Sequence, residues 1–453
     1  MTSSDSLVNF APIINIVLMG LIVAMGPLSW VWLKTRNSAT LNQKNRNLLN
    51  PQAQQLISRQ RLLMLSQITL FLTFDLLVFG AFTRLTDSGL GCPDWPGCYG
   101  HGSPSGASSM IASAQALMPT GPVTHVKAWI EMIHRYLATG VGVLILTIAL
   151  FTGTQKYLKS LMLDGALILL WVCLQGAFGA LTVTMKLFPL IVTLHLMGAV
   201  ILLILLTRFV MTQRNAMLKY ITALGSPSAL YQQGADTKDV HLDDEHSKHI
   251  DNVAHELSRF TQLPGDNSRS VNFLLTTGLL LALLQILMGG WVSTNYAVTA
   301  CTTFPMCQNS WWPLMNFSEG FELWRPLGLT SAGANINFES LTAIHYSHRL
   351  MAYVVFGFMC LLGYVLRKQA HYKTLGKLIW VLITLQVITG VSTVIFQWPL
   401  LAAVLHTGGA AALVIVLTLG LKMRRVNPST DMHFGQVTDS IAIQNSDSTK
   451  GVL

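Results

Sequence analysis

The chain has 453 residues, of which 51% are hydrophobic and 11% are charged, and its formal net charge is +9. Soluble domains carry about 25% charged residues, so this chain has too few to cover a surface that faces water. A mean hydropathy of +0.49 also indicates a predominantly apolar chain. The composition excludes an ordinary soluble enzyme. Because the positive charge forms no compact basic patch with interleaved aromatic residues, membrane lipid is the expected partner and nucleic acid is not.

Nine apolar runs are long enough, or nearly so, to cross a bilayer, which takes about 20 residues of helix. Short polar or basic segments separate them, as loops separate the spans of a multi-pass protein. The sequence therefore predicts an all-α polytopic membrane protein. The predicted spans cover 11–33, 62–83, 126–152, 161–182, 187–212, 271–293, 339–366, 378–398 and 400–421.

The first run is predicted to be an extra N-terminal transmembrane helix within a segment that covers 1–61. It is too long for a secretory signal, and no Lys or Arg precedes it. The following loop is basic, and the opposite side of the predicted spans has few Lys or Arg residues. Because cytoplasmic loops are enriched in these residues, we expect the N-terminus outside and the C-terminus in the cytoplasm. The basic residues of this loop are Lys34, Arg36, Lys44, Arg46, Arg59 and Arg61.

The sequence contains an internal repeat. Residues 174–199 and 385–410 share LQ, G, TV, P, LH and GA in step, and IHRYLA and GCPDWPGC recur as SHRLMA and ACTTFPMC. Self-similarity at a nearly fixed offset indicates a duplicated unit, and parallel repeats are a known membrane architecture. We therefore predict two pseudo-symmetric four-helix bundles, 62–212 and 271–421, in the same membrane orientation.

Two polar segments lie outside the repeat. The segment 213–270 is rich in Asp, Ser and His, and its composition favours a solvated cytoplasmic linker over a metal-binding segment. The segment 422–453 is predicted to be a disordered cytoplasmic tail.

Four histidines lie inside apolar runs: His134, His195, His348 and His406. A single intramembrane histidine is most often a packing residue, but these four form two pairs related by the repeat. Each lies about 10–13 Å from the outer end of its predicted helix, so the two imidazoles of one bundle can face each other across a flat ligand. Imidazole also suits zinc and copper, but no further Cys or carboxylate set completes a tetrahedral site. Bis-histidine haem is the preferred interpretation, and the lack of C-x-x-C-H excludes c-type attachment.

The second span of each half carries further polar residues beside its histidine. Arg135 and Arg349 follow the histidines, and a guanidinium suits the carboxylates of haem propionates, with a salt bridge or snorkelling as the alternative. Three residues before the histidine, the first half has Glu131 and the second has His345. Because residues three apart share a helix face, Glu131 is predicted to face the cavity and exchange protons there. His345 is an alternative ligand to His348.

Two C-x5-C pairs, Cys92 with Cys98 and Cys301 with Cys307, fall in the long outer loops. On an oxidising side of the membrane such pairs most simply form structural disulfides, and a redox-active dithiol relay is the alternative. Asp75 lies within an apolar run and is expected to be buried, without an assigned role.

These motifs together resemble the haem A synthase family of proteobacteria and mitochondria. The resemblance rests on TRLTDSGLGCPDWPGC, EMIHR, STNYAVTACTTFPMCQNSWWP, HYSHR and VLHTGG, and it covers nearly all of 62–421. The first helix, the linker and the tail depart from the family pattern.

The resemblance implies an oxidoreductase that converts the C8 methyl group of haem O into a formyl group, giving haem A for terminal oxidases. It implies a resident haem b on His348 and His406, and a substrate site between His134 and His195 with Glu131 as the essential acid. Implied partners are haem O synthase and an electron donor that the resemblance does not identify, and a homo-oligomer is left open.

Two other classes of protein compete with this interpretation. A dihaem b-type membrane electron-transfer protein would have two permanent, equivalent sites. A repeat-based transporter would have helices broken by Gly or Pro near the membrane midplane, a feature that the sequence does not show convincingly. The unequal residues Glu131 and His345 favour the synthase.

Overall fold

The structure, a computed structural model, describes residues 10–40, 51–223 and 269–423, and these ranges are helical without a β-strand. Most of the predicted linker 213–270 and of the predicted tail 422–453 lies outside the described residues. The eleven α-helices are α1 (Ala11–Thr40), α2 (Pro51–Leu85), α3 (Ser108–Leu117), α4 (His125–Thr154), α5 (Met162–Thr184), α6 (Pro189–Ala223), α7 (Arg269–Thr294), α8 (Phe317–Gly320), α9 (Phe338–Arg367), α10 (Lys373–Ile395) and α11 (Leu400–Lys422).

Within the described ranges, nine helical segments are long and apolar enough to cross a membrane. They correspond one to one to the nine predicted spans, which confirms an all-α polytopic membrane protein. Several helices are longer than their apolar runs; α2 begins at Pro51, whereas its predicted span begins at residue 62. Hydropathy marks the part of a helix that lies in lipid, but backbone hydrogen bonding continues into the polar residues beyond it.

The spans of the N-terminal half meet in an apolar core. Leu144, Ile145 and Ile148 of α4 are fully buried, together with Leu206 of α6 and Leu62 of α2. Because lipid is as apolar as these side chains, no hydrophobic force drives helices together inside a bilayer. Close van der Waals packing of the side chains holds the helices together instead. This core fixes the helices that carry the N-terminal histidines.

The two halves contact each other at residues that are counterparts in the repeat. Arg84 Nη2 donates to the backbone oxygen of Ser293 at 2.6 Å, and the Tyr296 hydroxyl donates to Asp87 Oδ1 at 2.7 Å. Each contact joins residues 209 positions apart, which is the offset between the two cysteine motifs. A residue that contacts its own counterpart lies close to the axis relating two copies. These contacts support the pseudo-symmetry of the halves, while their division into two four-helix bundles stays a prediction.

The tyrosine of this contact lies just beyond the end of α7. Partial burial raises the pKa of Tyr296, so its phenol stays protonated and able to donate to Asp87. The Arg84 guanidinium stacks on the same ring, 4.2 Å from its centroid. One cluster therefore joins the end of α2 to the segment that follows α7.

The extra helix α1 packs on the N-terminal half. A β-carbon on Gly20 of α1 would clash with Thr139 of α4, and one on Gly140 of α4 would clash with Val23 of α1. The missing side chains let the two backbones approach closely, as small residues do between membrane helices. Thus α1 has a specific packing surface.

The expectation that Asp75 is buried is wrong, because its side chain is exposed on α2. It shares an exposed stripe with Gln67 and Phe71, at intervals of four residues. An apolar run predicts that a helix crosses the membrane, but it does not specify which side of that helix faces its neighbours.

Candidate functional site

The four histidines lie at similar distances from the starts of their helices. His134 is nine residues after the first residue of α4, and His348 is ten after the first residue of α9. His195 and His406 are each six residues after the first residues of α6 and α11. At 1.5 Å per residue these positions are about 9–15 Å along the helices. All four residues are half-buried.

The imidazoles lie in the predicted pairs. His134 and His195 are close enough to interact electrostatically, and so are His348 and His406. Among the residues that the structure describes, no three His, Cys, Asp or Glu side chains come together as metal ligands. Within the described ranges, a tetrahedral zinc site therefore lacks protein ligands, whereas a porphyrin iron needs only two axial ones.

The second ring nitrogen, Nδ1, has different surroundings in the two pairs. His406 Nδ1 lies 3.0 Å from the Thr389 hydroxyl, and His348 Nδ1 lies 3.1 Å from the side-chain nitrogen of Gln285. His195 Nδ1 is buried and has no hydrogen-bond partner among the described residues. Metal-binding histidines usually have their other nitrogen engaged. The Thr389 hydroxyl can accept the Nδ1–H of His406, whereas the Gln285 nitrogen can only donate and also lies 3.4 Å from His348 Nε2. The engaged Nδ1 therefore distinguishes His406 from its counterpart His195.

Two glutamines hold the backbone at the C-terminal histidines. Gln285 Nε2 donates to the His348 carbonyl at 3.1 Å, and Gln386 Nε2 donates to the His406 carbonyl at 2.9 Å. Neither glutamine was predicted from the sequence. The repeated LQ dipeptide, which contains Gln386, was the one available signal.

Glu131 and Arg135 connect α4 to the first outer loop. Glu131 is only 4% exposed, its Oε2 accepts a hydrogen bond from the Cys92 backbone N–H at 2.8 Å, and its Oε1 is ion-paired with Arg135. Arg135 Nη1 also donates to three backbone carbonyls within residues 94–97. The carboxylate therefore bridges the helix that carries His134 and the loop that contains the first cysteine pair.

In the C-terminal half, α9 is likewise connected to its outer loop, but here the helix side chain donates the hydrogen bond to the loop backbone. His345 is 8% exposed, and its Nδ1 donates to the Ala297 carbonyl at 3.0 Å. Arg349 donates to three carbonyls within residues 301–306. Because His345 is buried against the loop, these contacts favour His348 as the ligand. For both arginines, the propionate contact stays a prediction beside this loop-binding role.

Both cysteine pairs are disulfide-bonded, Cys92 with Cys98 and Cys301 with Cys307. Each bond closes the loop that the arginine of the same half holds. The predicted disulfides are confirmed, and a redox role for them stays a prediction.

The fold and the site define a multi-pass helical membrane protein with two pairs of neighbouring histidines, similarly placed in two repeated halves. Comparison with known proteins then gives the family. The chain belongs to the COX15-CtaA family of cytochrome oxidase assembly proteins, whose model matches residues 63–231 and 251–418. These two matched segments correspond to the two halves of the repeat, and α1 precedes them.

Individual relatives agree with the family. The chain is 35% identical to the haem A synthase of Shewanella oneidensis over 349 residues, which is 76% of this chain and 92% of the relative. It is 26% identical to the haem A synthase of Rhizobium rhizogenes over 75% of this chain and 83% of the relative. With the haem A synthase of Paracoccus denitrificans it shares 30% identity over 148 residues, 32% of this chain and 36% of the relative. The family resemblance read from the motifs is confirmed.

Proposed function

We propose that this protein is a haem A synthase, an oxidoreductase that converts the C8 methyl group of haem O into the formyl group of haem A. One observation carries the proposal: the histidine pairs repeat, but their surroundings are unequal. His406 has a hydroxyl partner at Nδ1, whereas its counterpart His195 has none there among the described residues, and Glu131 stands in the first half where the second half has His345. A resident cofactor and an exchangeable substrate require unequal sites of this kind.

In the C-terminal half, His348 and His406 are the residues that would hold the iron of a b-type haem. When bound there, this haem would carry single electrons between an external redox partner and the substrate site. The four-electron oxidation of the methyl group also requires an oxidant and a source of the oxygen atom from outside the chain. Thr389 engages His406 at Nδ1 and so leaves Nε2 for the metal. Gln285 and Gln386 hold the backbone at each ligand, which suits a cofactor that stays in place.

In the N-terminal half, haem O is the substrate, and its iron lies between His134 and His195. Glu131 is the proposed acid–base group, since it is three residues from His134 on the same helix face. It takes up protons released at the methyl carbon or stabilises positive charge that develops there. The ion pair with Arg135 and the hydrogen bond from Cys92 keep the carboxylate in position.

We place the protein in the bacterial inner membrane, as the family resemblance implies. The basic segment 34–61 supports an N-terminus outside, which puts both histidine pairs toward the outer surface. Haem O synthase is the proposed partner that supplies the substrate, and a separate electron donor serves the C-terminal haem. Arg135 and Arg349 are the proposed contacts for haem propionates, in addition to their loop carbonyls, because a guanidinium fits carboxylates.

The proposal is tested by expressing the chain together with a haem O synthase and separating the extracted haems by chromatography. We expect haem A, and only haem B and haem O from cells that carry the haem O synthase alone. Unconverted haem O beside a haem-B-containing protein would identify an electron carrier and overturn the proposal.

A further inference from the structure

Each histidine of the second spans lies against a glycine from the first span of its own half. A β-carbon on Gly80 of α2 would lie 3.0 Å from His134 Nε2. A β-carbon on Gly289 of α7 would lie 2.9 Å from His348 Cε1. Both imidazoles therefore occupy space that any larger residue on the neighbouring helix would take.

The histidines of the fourth spans have the same relation to glycines of the third spans. A β-carbon on Gly390 of α10 would lie 3.0 Å from His406 Cε1, and one on Gly179 of α5 would lie 3.5 Å from His195 Cε1. Three of the four contacts are thus tighter than ordinary van der Waals contact, which begins at about 3.5 Å for carbon atoms. The looser contact is at His195, the histidine whose Nδ1 has no partner.

These glycines recur with the repeat itself. Gly80 and Gly289 are 209 positions apart, and Gly179 and Gly390 are 211 apart. The first offset is that of the cysteine motifs, and the second is that of the histidines on the fourth spans. The contact between a glycine and a histidine therefore belongs to the duplicated unit and not to one half alone.

We propose that Gly80, Gly179, Gly289 and Gly390 are positioning residues that set the orientation of the four axial ligands. A methyl group at a tight position pushes the imidazole aside or turns it, and a functional constellation tolerates errors of only about 0.5 Å and 10–20°. The inference rests on the proposed function, because it takes the four histidines as haem ligands. It assigns a role in orienting those ligands to four glycines.

Glycines in membrane helices also serve close helix packing without any role at a ligand. The chain offers matched controls for that alternative. A β-carbon on Gly278, in the same helix as Gly289, would lie 3.0 Å from Leu362 Cδ2, and one on Gly357 of α9 would meet nothing within 4 Å. Gly278→Ala therefore tests tight packing on a leucine, and Gly357→Ala tests the change from glycine to alanine by itself.

The experiment uses the full chain purified from membranes as wild type, Gly289→Ala, Gly278→Ala and Gly357→Ala. The readouts are haem b bound per polypeptide and the low-spin electron paramagnetic resonance signal, which reports axial ligand orientation. For Gly289→Ala we expect about tenfold weaker haem retention, the size seen when a residue that orients a metal ligand is changed, with a shifted signal from the remaining haem. Both control variants should match the wild type.

Wild-type haem content and signal in Gly289→Ala would overturn the inference, and so would an equal loss in Gly278→Ala. If Gly289→Ala does not accumulate in the membrane, Gly390→Ala tests the same relation at His406 with the same two readouts. A wild-type chain without b-type haem would instead overturn the proposed function, and this inference with it.

Discussion

The two halves attach their outer loops with equivalent arginines but with different residues one turn earlier. Glu131 accepts a hydrogen bond from the loop backbone at Cys92, whereas His345 donates one to the loop backbone at Ala297. The C-terminal half therefore shows that an outer loop can be attached without a carboxylate at this position. The negative charge of Glu131 exceeds what loop attachment requires, which is why we assign it the acid–base role.

A second difference concerns rigidity. His406 is held at Nδ1 by Thr389 and its backbone is held by Gln386. His195, its counterpart, has a buried Nδ1 without a partner among the described residues and the loosest glycine contact of the four. This difference is in line with our proposal that the C-terminal half retains its haem and the N-terminal half exchanges its substrate.

The largest expected effects come from removing ligands. His348→Ala should abolish bound haem b, because one of two axial ligands is lost. His134→Ala should retain haem b and abolish formation of haem A. Haem content of the purified protein and chromatography of extracted haems distinguish the two results. Equal loss of haem b in both variants would show that the halves do not differ as proposed.

Removal of the charge at Glu131 is expected to separate binding from chemistry. Glu131→Gln keeps an acceptor for the Cys92 N–H but lacks the carboxylate, so haem should stay bound while haem A formation falls by about 10²-fold or more, as for other acid–base groups. His345→Gln is the matched control in the other half. Normal haem A yield from Glu131→Gln contradicts the assigned role.

A smaller effect is expected from the hydroxyl beside His406. Thr389→Val removes the partner of Nδ1 and should weaken haem b binding by about tenfold, as is usual for partners of metal ligands. Thr407→Val is the control, because its hydroxyl donates to the Ala403 carbonyl of its own helix at 3.3 Å. Both variants are titrated with an apoprotein that accepts haem, and the haem b that each variant loses is compared. Identical retention in both variants would mean that Thr389 does not distinguish the halves.

The smallest effect is expected where the halves touch. Tyr296→Phe removes the hydrogen bond to Asp87 and should cost about 1 kcal/mol, the usual net value of one hydrogen bond. The thermal midpoint should fall by a few degrees without a change in haem content, and Tyr364→Phe, near the far end of α9, is the control. A fall in haem content would instead indicate that this contact also shapes a haem site.

Much of the fold and part of the site could be predicted from sequence. Nine spans follow from apolar runs because lipid selects hydropathy over a fixed length. The pairing of His134 with His195, and of His348 with His406, followed from the repeat, because duplicated motifs occupy equivalent positions in each copy. The two disulfides followed from spacing within single loops.

Residues that act through another helix were not predictable in this way. Gln285 has no counterpart in the repeat, and the glycines beside the histidines do not differ in sequence from glycines that only pack. The exposure of Asp75 depends on how α2 is turned, which a nearly uniform apolar run does not specify.

The sequence by itself thus determined the membrane class, the duplication, the four histidines and the unequal residues Glu131 and His345. Each of these can be recognised within one continuous segment or by comparing that segment with its repeat. The tertiary structure decided which atoms meet: the loop contacts of Arg135 and Arg349, the contact between Thr389 and His406, and the glycine beside each imidazole. These contacts join residues on different helices or on a helix and a loop, and packing alone brings them together.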